Sequence, residues 1–99
     1  MVAKVQRSSG DVFRDLGFDE DEAAHLRIRA TLMARVRKLI EKRGLTQTAA
    51  AQLFGGTQPG ISDLVRGKIE LFSIDGLVDM LARARCRVSL VVHEERRVA

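Results

Sequence analysis

The chain has 99 residues, of which 45% are hydrophobic and 30% charged, enough for one compact core and too few for two. Its mean hydropathy is close to zero, at -0.06, and no apolar run approaches the roughly 18 residues a bilayer-spanning helix needs, so no membrane segment is expected. The formal charge of +4 is unevenly spread: residues 1–23 hold 3 basic and 6 acidic side chains, residues 25–68 hold 9 and 2, and residues 69–99 hold 5 and 5, which suggests a polyanion-facing centre and an acidic arm with a different partner.

Residues 1–18 read as an N-terminal arm. Val12, Phe13, Leu16 and Phe18 give it an apolar side, which either closes the core against the first helix or docks on a basic protein. Asp19 then reads as a helix N-cap, with Glu22 three residues on completing a capping box and acids favourably placed at the positive end of the helix dipole. Leu26, Ala30, Met33, Val36 and Ile40, widened by Leu32 and Leu39, keep a 3.6-residue period. Arg29, Arg35, Lys38, Lys42 and Arg43 lie mostly off that stripe, as a solvated face would, and Gly44 is a C-terminal stop.

Thr46 caps a second predicted helix over residues 47–54, in which Ala49, Ala50 and Ala51 favour helix and permit close packing. Gly55-Gly56 ends it. Thr57 is a fresh N-cap, Pro59 is tolerated in the first turn, and Ile61, Leu64 and Val65 give a third helix its inward face as far as Gly67. Ser73 caps a fourth, with Leu77, Val78, Leu81 and Ala82 inward. After Arg85 the period changes: Val88, Leu90 and Val92 alternate with Arg87, Ser89 and Val91, predicting a strand over residues 87–93. A lone strand leaves a row of unpaired backbone groups; the other candidate strand in the chain is the weak Val2-Ala3-Lys4-Val5, and the more economical partner is the same strand of a second copy. The predicted layout is thus an arm over 1–18, a helical domain over 19–86, and a dimerisation strand and tail over 87–99.

Cys86 is the sole cysteine. No internal disulfide is possible, His25 and His93 stand at no zinc-ligand spacing from it, and a buried, inert thiol is expected. No nucleophile or carboxylate constellation accompanies the histidines, so catalysis, a metal and a cofactor are not expected. The start, Met1-Val2-Ala3-Lys4, has no apolar signal core, and the expected location is the cytoplasm.

Residues 47–66 carry the most informative spacing. A helix-turn-helix requires a small residue within its first helix, met by Ala51, a glycine that accepts left-handed geometry in the turn, met by Gly55, and buried aliphatics locking the second helix, met by Ile61 and Leu64.

Leu45-Thr46-Gln47, Ala50-Ala51, Gln58-Pro59, Ile61-Ser62-Asp63-Leu64 and Arg66-Gly67-Lys68 resemble the XRE, or lambda-repressor-like, helix-turn-helix domains, over residues 40–81. More narrowly, Val12-Phe13-Arg14-Asp15-Leu16-Gly17, together with residues 68–72 followed by a C-terminal strand, resembles the HigA-like XRE antitoxins encoded beside RelE-fold ribonuclease toxins. The resemblance implies a mainly α bundle of four to five helices with a C-terminal strand pairing across a homodimer. It further implies a transcriptional repressor of an inverted-repeat operator in double-stranded DNA, acting as the antitoxin of a toxin–antitoxin operon, with a RelE-fold toxin as partner of Val12, Phe13, Leu16 and Phe18. A stand-alone regulator, or an interaction antitoxin with a weak DNA motif, are the alternatives.

Carried onto matching positions, the resemblance makes Gln47 a phosphate contact that braces the recognition helix and Gln58 a base contact, whose amide has the geometry for adenine N6 and N7. Thr46, Thr57 and Pro59 join the DNA-facing set at the helix starts. Ser62 and Asp63 share the exposed face, Asp63 either accepting from cytosine N4 or pairing with Arg66. Arg66 and Lys68 fall near the DNA backbone. Val88, Leu90 and Val92, the alternating apolar side chains of the predicted strand, are the expected dimer contacts. Two departures, Gly56 in the turn and Gly60 on the recognition helix, are expected to loosen the motif until DNA or a second protomer holds it.

Overall fold

The computed structural model describes residues 16–17 and 19–94. Each of the four α-helices among the described residues starts on the residue whose side chain is short enough to reach back to its own first turn. The Asp19 carboxylate accepts from the Glu22 N–H at 2.8 Å and opens α1, Glu20–Arg43. Thr46 Oγ1 accepts from the Ala49 N–H at 3.1 Å and opens α2, Gln47–Phe54. Thr57 Oγ1 accepts from the Gly60 N–H at 3.1 Å and opens α3, Gln58–Val65. Ser73 Oγ accepts from the Gly76 N–H at 3.0 Å and opens α4, Ile74–Arg83. A single 3-10 turn, Ile69–Leu71, links α3 to α4.

The helix ends share one device. After α1 the Leu45 N–H returns to the Ile40 carbonyl at 3.0 Å and the Gly44 N–H to Glu41 at 3.1 Å, the paired bonds of a Schellman turn around a left-handed residue. The same pair of bonds recurs after α3 around Gly67, and after α4 around Arg85, where a non-glycine residue holds φ +65°.

Helix α1 packs on α4 and contacts α3, α2 packs on α3, and α4 closes against α2. Phe54, Ile61, Leu64, Leu77, Leu81 and Val36 form the fully buried centre, and no polar or charged side chain is buried with them among the described residues. Arg29 departs from the solvated role its sequence position suggested. It is half-buried, and its Nη1 donates to the carbonyls of Ile69 at 3.2 Å and Phe72 at 3.3 Å, holding the 3-10 turn onto α1. Without that donor the Phe72 carbonyl would lose its partner, and the Ile69 carbonyl would keep only the Phe72 N–H at 3.2 Å.

No strand forms among the described residues. From Cys86 onward the chain is irregular: Cys86 and Val88 pack half-buried on the core, so the thiol is less enclosed than expected, whereas Leu90 is 79% and Val92 91% exposed. The physical reason is that a strand is defined by its ladder, and the described residues of one copy bring no partner to residues 87–93. The alternation is still legible as Cys86 and Val88 facing in. Of the apolar arm residues, Leu16 is exposed, while Val12, Phe13 and Phe18 lie outside the described residues. No described helix is long and apolar enough to cross a membrane.

Candidate nucleic-acid interface

The turn between α2 and α3 depends on Gly55. Its φ of +74° is the left-handed conformation that L side chains avoid, and a Cβ there would lie 2.6 Å from the Arg83 Cδ and Nε. The Gly56 N–H closes α2 onto the Ala51 carbonyl at 2.8 Å. Ala51, Ile61 and Leu64 are all buried, so α3 is locked by the residues whose spacing predicted it.

That anchoring turns one side of α3 outward. Gln58, Pro59 and Arg66 are exposed, Ser62 and Asp63 are half-buried at the edges of the same face, and Lys68 is exposed just beyond the helix. Thr46 and Gln47, at the start of α2, and Thr57, at the start of α3, are exposed too. The brace across the motif is made by a residue that sequence reasoning missed. Gln58 Nε2 donates to Thr48 Oγ1 at 3.1 Å, so Thr48, one residue along from Gln47, ties α2 to the first residue of α3. One residue along a helix is a rotation of about 100°, and here it turns Thr48 toward α3. Nothing in the local pattern distinguishes the two positions.

Asp63 finds a different partner from the one expected. Its carboxylate lies 3.6 Å from Lys68 Nζ, and the Lys68 N–H also donates to the Asp63 carbonyl at 3.0 Å, in place of the expected pairing with Arg66. The left-handed turn at Gly67 folds the chain back and brings residue 68 over residue 63.

Charge is distributed to suit an anion. The first turn of α1 carries Glu20, Asp21 and Glu22 and that of α4 carries Asp75, but the first turns of α2 and α3 carry no acid. Each helix start presents roughly half a positive charge through its free N–H groups, and in α2 and α3 no carboxylate offsets it. At the other end of α3, Arg66 and Lys68 are exposed, and Arg37 Nη1 lies 3.7 Å from where a Cβ on Gly67 would stand.

The two glycines thought to loosen the motif do not prevent it in the single chain, where α3 runs from Gln58 to Val65. Gly60 supplies the N–H that Thr57 caps, and a Cβ there would stand 3.1 Å from the capping oxygen. Gly56 has nothing within 4 Å of its would-be Cβ.

Two short helices joined by a left-handed glycine turn, the second displaying a polar face between two locked aliphatics, define a helix-turn-helix of the DNA-binding class. The chain belongs to the helix-turn-helix domain family, whose profile it matches over residues 12–93. Among solved structures it is similar to a chain provisionally described as an XRE family transcriptional regulator, with 28% identity and a TM-score of 0.71 over 79% of this chain and 91% of that one. That likeness supports the XRE type of helix-turn-helix. None of the curated proteins matches the chain.

Proposed function

We propose that this protein is a sequence-specific transcriptional repressor that binds an inverted-repeat operator in double-stranded DNA as a homodimer and performs no chemistry. The observation that carries the reading is the pair of acid-free helix starts, capped by Thr46 and Thr57, with Gln58 held at the head of α3. Phosphates fit the two helix starts, and the outward side of α3 fits a major groove, with Gln58, Pro59, Ser62 and Asp63 toward base edges and Arg66 and Lys68 toward the backbone.

The dimer rests on the exposed Leu90 and Val92, which alternate with Val88 in the sequence and which a second copy would cover. Within this reading the protein is the antitoxin of a RelE-fold toxin and autoregulates their operon in the cytoplasm, with Val12, Phe13, Leu16 and Phe18 meeting the toxin. The support is the resemblance of residues 12–17 and 68–72 to HigA-like antitoxins. A neighbouring reading frame for a small basic RelE-like protein favours this over a stand-alone regulator, and deleting residues 1–17 should abolish neutralisation while sparing operator binding.

Selection of bound duplexes from a random pool tests the central reading. The expected product is an inverted repeat with half-sites about one helical turn, roughly 34 Å, apart. Equal affinity for the selected site and random DNA would overturn it.

A further inference from the structure

Gln58 is an exposed side chain at the head of a helix, and a free carboxamide in that place would rotate and offer either its oxygen or its nitrogen to a base. It is not free. Its Nε2 donates to Thr48 Oγ1 at 3.1 Å, across the turn and from a different helix. Both partners sit within the first turn of their helices, each start fixed by its own threonine cap, Thr46 for α2 and Thr57 for α3. The bond therefore joins two rigid points instead of two loops.

Resting on the DNA-binding reading above, we propose that Thr48 is a specificity-determining residue: by holding the Gln58 nitrogen against α2 it leaves Oε1 as the outward acceptor, so that the position reads a base presenting an amino group. In the major groove the amino donors are adenine N6 and cytosine N4, whereas guanine and thymine present the acceptors O6 and O4 at the equivalent places. The second hydrogen on Nε2 stays available and suits adenine N7, so adenine is the favoured base and cytosine the second. Thr48 need not touch a base to do this. It acts by setting the orientation of Gln58 before DNA arrives, which removes the cost of ordering that side chain at the interface.

The test compares the full-length chain with Thr48→Val, which keeps the shape and removes the hydroxyl, and Thr48→Ser, which restores it. Each is put through selection from a random duplex pool and then titrated on the four single-base variants of the selected site at the Gln58 position. The parent should select adenine there. Thr48→Val should lose about tenfold of its discrimination against guanine and thymine, with an unchanged melting temperature, and Thr48→Ser should recover most of it. A purely structural threonine would instead lower the melting temperature and weaken binding to all four variants alike, and that result overturns the proposal. So does a parent that selects guanine, which would mean that the hydroxyl donates and the carboxamide is turned round. A parent that binds every sequence equally overturns the DNA-reading role itself, and is distinguished by failing before any variant is compared.

Discussion

Lys68 Nζ lies 3.6 Å from the Asp63 carboxylate, folding the charge that follows the recognition helix back onto the helix itself. Both side chains are partly exposed, so the pair adds little to stability, on the order of 0–1 kcal/mol. Its consequence is for DNA. Asp63→Asn should release Lys68 and remove a carboxylate that repels phosphates, raising affinity for random DNA more than for the operator, where the carboxylate faces base edges. Lys68→Ala should weaken all sequences equally and make the slope of log K against log salt shallower by about 1. Filter-binding or fluorescence titrations between low and moderate salt read both, and a sequence-selective loss in Lys68→Ala would contradict the assignment.

Gln58→Ala should behave in the opposite way. Binding to the preferred site should fall by about 1–3 kcal/mol, base preference at that position should flatten, and affinity for random DNA should change little. Competition titrations with single-base variants separate this from a general loss of binding.

The adjacent glycines of the turn should differ sharply. Gly55→Ala forces an L residue into φ +74° beneath Arg83 and should cost about 1–2 kcal/mol. Gly56→Ala meets nothing within 4 Å and has no left-handed φ, so it should be neutral or stabilise by about 0.5 kcal/mol by narrowing the unfolded ensemble. Urea denaturation at constant m distinguishes the two, and equal costs would refute the distinction.

Arg85 occupies a position that helix ends usually give to glycine, at φ +65°. Arg85→Gly should relieve that strain and, after the entropy glycine adds to the unfolded chain, stabilise the protein by about 0.5–1 kcal/mol. A lower denaturation midpoint in Arg85→Gly would show that the arginine side chain makes a compensating contact.

The features legible in the linear chain were those decided within a few residues. Asp19, Thr46, Thr57 and Ser73 cap helices because a short oxygen-bearing side chain reaches its own N3 amide, and all four do so. Ile61 and Leu64 face inward because their spacing leaves one face of α3 apolar, whereas Val65, expected with them, is 44% exposed. Arg29, by contrast, reads as one more cation on a charged helix, and only the return of the chain 40 residues later brings the Ile69 and Phe72 carbonyls to it. Thr48 became visible for the same reason, since it meets Gln58 across the turn between two helices, whereas Lys68 reaches Asp63 through the local glycine turn at Gly67.

The alternation of Val88, Leu90 and Val92 marks the boundary between the two kinds of information. Period two states which side chains share a face; the structure seats Val88 on the core and leaves Leu90 and Val92 exposed. Whether those residues form a strand depends on hydrogen bonds to another backbone, which a single copy's described residues do not offer. The chain by itself therefore determined where helices start and stop, which faces are apolar and where the helix-turn-helix lies, because caps, glycine turns and periodicity act over one or two turns. Tertiary structure alone decided that Thr48 holds Gln58 and that Arg29 holds the 3-10 turn, because each of those contacts joins parts of the chain that packing, not local sequence, brings together.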